Sequence, residues 1–237
     1  MLALPTVKGV IRRRILVNYR IDVDIAARQL PDRFRPKLIH GSAMGGICLI
    51  RLEEIRPTAL PSTLGFASEN AAHRIAVEWD EADGTVNEGV FIPARSTNSF
   101  LNHVAGGRIF PGEHHLARFD VDDDGDTIDL SMKSDDFSVH VRAHTADALP
   151  STSVFASMTE ASRYFENGSI GYSARRKGDT LDEVRLEVTN WQVAPLALDD
   201  VRSSYFEDQA RFPIGSAILD SALIMRNVDH QWRAVAA

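Results

Sequence analysis

One cysteine and four lysines are all that this 237-residue chain carries of two reactive side chains: Cys48, and Lys8, Lys37, Lys133 and Lys177. A lone cysteine excludes an internal disulfide and any zinc site built from paired cysteines. Its setting, Ile47-Cys48-Leu49-Ile50, reads as a small buried hydrophobe rather than a reactive thiol, which fits a reducing, cytoplasmic location. No apolar run approaches the roughly 20 residues of a membrane span. After Arg12-Arg13-Arg14 only Ile15-Leu16-Val17 precedes Asn18, far short of the about 7–15 apolar residues of an export signal. The sequence has no G-x-S-x-G nucleophile elbow and no phosphate-loop signature, so no cofactor is expected. The formal charge of −7 and pI near 5.6 argue against a phosphate-backbone partner. Neither nucleic acid nor membrane is an expected partner; a homo-oligomer is compatible with these bounds.

What is present is ordinary for a globular protein: 44% apolar and 25% charged residues, enough to bury a sizeable core. Alternation marks strands over residues 8–21, 42–55, 67–80, 87–93, 116–121, 127–132, 137–145, 181–198 and 216–227. Asp22 is placed to cap a short helix that Pro31 ends, and a second helix spans 159–167. A third is expected over 98–105. Strands mostly follow strands, so pairing should be mainly antiparallel, and a sheet this large should curl or close. The expected fold is α+β, mainly β: one domain over 1–237, a curled or closed antiparallel barrel with a few short helices.

Within this pattern some residues stand out. In the first strand Arg13 heads an apolar row, Ile15, Val17, Tyr19 and Ile21, while Arg12, Arg14, Leu16, Asn18 and Arg20 share the other face. Glu69 opens a row that continues as Ala71, His73, Ile75, Val77 and Trp79. Its carboxylate must either tip outward at the strand end or enter a cavity and find a partner. The turn DVDDDGDTIDLS, 120–131, has aspartates where a calcium loop has them, but Ser131 stands where the closing glutamate belongs and the flanks read as strands. A hairpin turn is the expectation there, with no metal. His140 and His144, four apart on a strand, lie about 13 Å from each other, too far to share an ion.

The chain's chemistry concentrates between Gly89 and Val121. An apolar strand gives way to Gly106-Gly107, then Pro111-Gly112 and Glu113-His114-His115, with Arg95 and Arg108 alongside. Rigid breaks beside ionisable groups let backbone amides and side chains converge on a ligand. In an extended backbone Glu113 and His115 share a face and His114 points away, so the two imidazoles cannot chelate together. Either is suited to proton transfer near neutrality, and alternation favours His115.

These segments resemble the acetoacetate decarboxylase-like superfamily, and more closely its YqjF-like branch. The close resemblance rests on NYRIDVDIAARQLP, GICLIRLEEIRP, SENAAHRIAVEWD, GGRIFPGEHHLARFD and FPIGSAILDSALIMR. It implies a β-rich, barrel-like fold around an internal pocket. In the decarboxylases a lysine pair follows a G-R-containing segment, and one lysine forms a Schiff base with a β-keto acid. Carried over by residue, the resemblance puts Arg12 at the arginine of the first strand and Glu69 at the glutamate of the GFASEN turn. His114-His115 fall at the lysine pair. Imidazole cannot form an imine, so the electron sink for decarboxylation is missing. The reading is a small-molecule-binding protein, its ligand a small carboxylate or carbonyl compound. His115, His114 and Glu69 are the acid/base candidates for an enolisation, hydration or dehydration step. Arg12, Arg20, Arg95, Arg108 and Glu113 are the binding candidates. The rival is a non-catalytic binding or interaction protein on the same scaffold.

Overall fold

A computed structural model describes residues 6–99, 114–168, 170–174, 181–188 and 190–234. Its strands are β1 (Val7–Ile21), β2 (Arg35–Pro36), β3 (Leu38–Ile39), β4 (Ser42–Pro57), β5 (Phe66–Asp80), β6 (Val86–Thr97) and β7 (His114–Asp123). They continue as β8 (Thr127–Ser134), β9 (Ser138–Thr145), β10 (Ile170–Ala174), β11 (Leu181–Val188), β12 (Ala194–Ser203) and β13 (Ala217–Ala234). Two short helices are described, α1 (Val23–Arg28) and α2 (Met158–Glu166). Asp22 caps α1 by accepting from the Asp24 and Ile25 amides, and Ser157 caps α2 through the Glu160 amide. The expected helix over 98–105 lies outside the described residues from position 100 onward.

The sheet closes. Pairing runs β6-β7-β8-β9-β12-β13-β1-β4-β5 and returns to β6, a nine-stranded barrel. The strands β10 and β11 add a second circuit, because β11 also pairs β13 and β10 also pairs β6. The run β13-β1-β4-β5-β6 therefore forms a wall common to both circuits. Its end strands branch: β6 pairs β10 through Val90 and Phe91 but β7 through Arg95 to Thr97. Both of those contacts are parallel, an exception to the expected antiparallel pattern. Likewise β13 meets β12 at Ala222 to Ile224 and β11 at 230–234. The stretch expected over 181–198, as one long strand or two broken near Asn190, is two strands, β11 and β12, and β12 runs on to Ser203.

The wall carries apolar packing on both faces, which explains the unbroken burial of Ile15 to Tyr19 in β1. Toward the nine-stranded barrel, Ile15, Val17, Leu49 and Ala71 meet Ile128, Leu130 and Val141. On the opposite face Leu16, Met44, Cys48 and Leu223 pack under α2, against Ala161, Tyr164 and Phe165. Burying each large aliphatic here contributes about 1.5–3 kcal/mol. Cys48 is thus a core residue, as its apolar neighbours imply.

Candidate functional site

A bulge in β1 decides which arginine points inward. Ile11 faces Leu52 of β4 and Arg13 faces Arg51, so Arg12 is an extra residue with no partner in that ladder. Its side chain is 49% exposed, donates to Glu53 (2.9 Å) and reaches Asn227 (2.8 Å), itself in the left-handed region at φ 55°. Arg13 turns to the barrel side and meets Glu69: its Nη2 lies 2.8 Å from the Glu69 Oε2, and both side chains are buried. The sequence alternative in which Glu69 enters the interior and finds a partner is the one observed. Asp123 joins them, 3.3 Å from Arg13 and clamped by two hydrogen bonds from Arg226 at 2.9 and 2.7 Å. Burial pushes the Glu69 carboxyl above its ordinary range against the pull of Arg13 and Arg51. At Asp123 burial works the same way, but the Arg226 hydrogen bonds and charge overcome it and hold that carboxyl low. Further along this face His73 is buried against Tyr205 and Phe137.

The opposite face is built differently. Register places Ala72, Arg95 and His114 in one row across β5, β6 and β7, so Arg95 and His114 point the same way. His114 is buried, and the Arg95 Nε donates to the Ser173 hydroxyl at 2.9 Å. Another row holds Asn18, Gly46 and Arg74. A Cβ on Gly46 would lie 2.2 Å from the Val17 carbonyl oxygen, so this position tolerates no side chain. Over that gap Arg74 reaches the Asn18 Oδ1 at 2.5 Å. Arg74 is buried, its Nε has no partner, and its guanidinium lies 4.9 Å from the Phe165 ring centre. Among the described residues, Arg14 on the same face meets the Cys48 sulfur at 3.3 Å and the Trp191 ring.

The structure therefore does not bring the candidate residues to one point. Glu69 and His114 stand on opposite faces of the wall. His115 is on the Glu69 side but is 35% exposed and paired with Asp136 at 2.8 Å, so His114, not His115, is the buried imidazole. Arg20 is held by the fully buried Asp220 at 3.1 Å, which also accepts from Ser153 and the Val154 amide. Arg108 and Glu113 lie outside the described residues, as does Lys177. Of the other lysines, Lys133 is exposed on β8 and Lys8 is half-buried on β1. Lys37 is ion-paired with Glu88 and sits 4.2 Å over the Tyr164 ring. The acidic turn is a hairpin joining β7 and β8: Asp124 accepts from the Asp126 and Thr127 amides, and Asp123 serves Arg226. His140 is bound by Asp129 and Asp200, and His144 by Asp199.

Sequence reasoning passed over Arg13 and Arg74. For Arg13 the signal was present, since it heads the apolar row of β1. Arg74 falls with Asn70 and Glu78 on the other, more polar face of the Glu69 strand. Its only sequence clue was Gly45-Gly46 on the neighbouring strand.

A branched, closed sheet of this kind is the architecture of acetoacetate decarboxylase-like proteins. The crystal structure of acetoacetate decarboxylase from Legionella pneumophila aligns over 99% of this chain and 88% of its own, with TM-score 0.61 and 15% identity. An acetoacetate decarboxylase-like enzyme from Sphingomonas wittichii RW1 aligns over 99% and 92%, with TM-score 0.59 and 10% identity. The enduracididine biosynthesis enzyme MppR, complexed with pyruvate, aligns over 98% and 89%, with TM-score 0.58 and 10% identity. No curated protein matches the sequence. Residues 10–219 match the family DUF2071, "Uncharacterized conserved protein (COG2071)", and the chain belongs to it. Among the described residues no helix is long and apolar enough to cross a membrane.

Proposed function

We propose that the protein binds a small carboxylate or carbonyl compound on the His114 side of the wall and moves a proton on it without a Schiff base. The observation that carries this reading is the row in which buried His114 stands beside Arg95, with Arg74 further along the same face. An arginine can hold an anionic or polarised oxygen while an imidazole next to it takes or returns a proton at carbon or oxygen. Enolisation is the simplest step of that kind. Imine chemistry needs a neutral, free amine. Lys37, the one described lysine near this face, has its ammonium paired with Glu88 instead. The commitment of Glu69 to Arg13 favours the second reading, a binder without turnover, because it removes one acid/base candidate.

Incubation with pyruvate in deuterium oxide separates the two. The catalytic reading expects exchange into the methyl group above the buffer rate, with a pH dependence that disappears in His114→Gln. Saturable pyruvate binding with no exchange leaves the binder. Borohydride reduction in the presence of acetoacetate should yield no lysine adduct; a reduced-imine mass on Lys37 with matching carbon dioxide release would overturn the Schiff-base exclusion.

A further inference from the structure

Under α2 lies a cleft of about 340 Å³ lined by Arg14, Phe165, Leu186, Val188 and Trp191. It shares Arg14, Phe165 and Gly168 with a narrow recess of about 30 Å³ that reaches Arg74, Lys37 and Tyr164. Four cations line the cleft and the recess, Arg14, Lys37, Arg74 and Arg185, and among the described residues Arg14 and Arg74 have no carboxylate at hydrogen-bonding distance. Lys37 is answered by Glu88 and by the Tyr164 carbonyl near the end of α2. Arg74 has the Asn18 amide oxygen, an aromatic ring and an unpaired buried Nε. Arg14 has a sulfur and an indole ring. A buried guanidinium without an anion is costly to maintain, and buried charges in proteins are ordinarily paired.

We infer that Arg14 and Arg74 form the anion seat for an organic acid with an apolar body. Its carboxylate would enter the recess and its hydrocarbon or aromatic part would lie in the cleft against Phe165, Leu186, Val188 and Trp191. The cleft volume falls within the roughly 300–1,000 Å³ of small-molecule pockets, and its lining sets four apolar side chains beside four charged ones. The lining also carries Arg185 with Glu166 and Glu187, and the two carboxylates disfavour a polyanion. Burial and the neighbouring Arg14 bring the Arg74 pKa down to about 10, so Arg74 remains a cation at neutral pH. This seat goes beyond the proton-transfer reading, since neither His114 nor Arg95 lines the cleft or the recess.

Calorimetric titration with phenylacetate and with its uncharged counterpart phenylacetamide tests the seat. Saturable phenylacetate binding is expected, weakened roughly tenfold or more by the change to the amide and by Arg14→Met or Arg74→Met. Arg14→Lys should restore part of the loss. If Arg74→Met does not fold, Arg14→Met decides alone. Equal affinity for acid and amide, no saturable binding in the millimolar range, or unchanged phenylacetate affinity in Arg14→Met overturns the inference. An Arg74→Met protein that is more stable yet binds phenylacetate normally would assign Arg74 a structural role and overturn it too. Failure of pyruvate exchange with phenylacetate binding intact would instead count against the proton-transfer reading alone.

Discussion

The two faces of the shared wall carry similar numbers of arginines and treat them in opposite ways. On the barrel side Arg13 and Arg226 are each matched by a carboxylate, Glu69 or Asp123, at hydrogen-bonding distance. On the α2 side Arg14 and Arg74 have no such match among the described residues. The first arrangement pairs each charge with its opposite, although the Arg13 Nε is left without a hydrogen-bond partner. The second leaves positive charge in an apolar setting, where an added anion gains most. Resemblance of sequence motifs led to Glu69; the balance of charge leads away from it, to the other face.

The largest effect that should separate the faces is on stability. Glu69→Ala leaves Arg13 buried with only Asp123 nearby and should lower the unfolding free energy by about 3–5 kcal/mol in a urea titration. Arg74→Met removes an uncompensated buried charge and should leave stability within about 1 kcal/mol of wild type, or raise it. If the two losses match, the contrast between the faces is broken.

A second test uses acid. Burial, helped by the Arg211 charge, lowers the His73 pKa from 6.5 to about 3; burial, with Arg14 adding to it, lowers that of His230 to about 4. Both imidazoles are therefore neutral in the fold while the unfolded chain protonates them first. Their contribution is fully present above about pH 6.5 and is lost as pH falls toward the folded values. The slope approaches about 1.4 kcal/mol per pH unit for each group. In His73→Phe the pH-dependent urea midpoint should flatten by one group's share; an unchanged slope would show that His73 is not the titrating site.

The smallest expected effect belongs to Arg12. Its ion pair with Glu53 is half in solvent, so Arg12→Ala should shift stability by less than about 1 kcal/mol. A loss as large as that of Glu69→Ala would mean that the bulge itself depends on Arg12.

The strands were legible because their period-2 rows are long and nearly unbroken, as in β1 and β5. The capping of α1 by Asp22 was legible for the same local reason. Register was not. One extra residue at Arg12 exchanges the faces of Val10 and Ile11 relative to the residues after it, and alternation carries no mark of a bulge that falls within Arg12-Arg13-Arg14. The sequence marks Pro36 to Ile39 as a short extended piece, where β2 and β3 lie, but β10 escaped because five residues give too little periodicity to detect. The site suffered from a related ambiguity. Asn70, Arg74 and Glu78 look like a wet face in sequence, and only the second circuit through β10 and β11, with α2 beneath it, covers that face.

The wall's central ladder joins β1 to β13, residues 7–21 to 217–234. During synthesis β1 leaves the ribosome long before β13, and one of its flanks stays open in between. Until then β1 and β4 present an unpaired edge of long apolar strand, the kind of surface that chaperones cover and that self-associates when they do not. Closure across so great a sequence separation also makes the entropic cost of the ladder fall early and its reward late, which sets this fold among the slow ones.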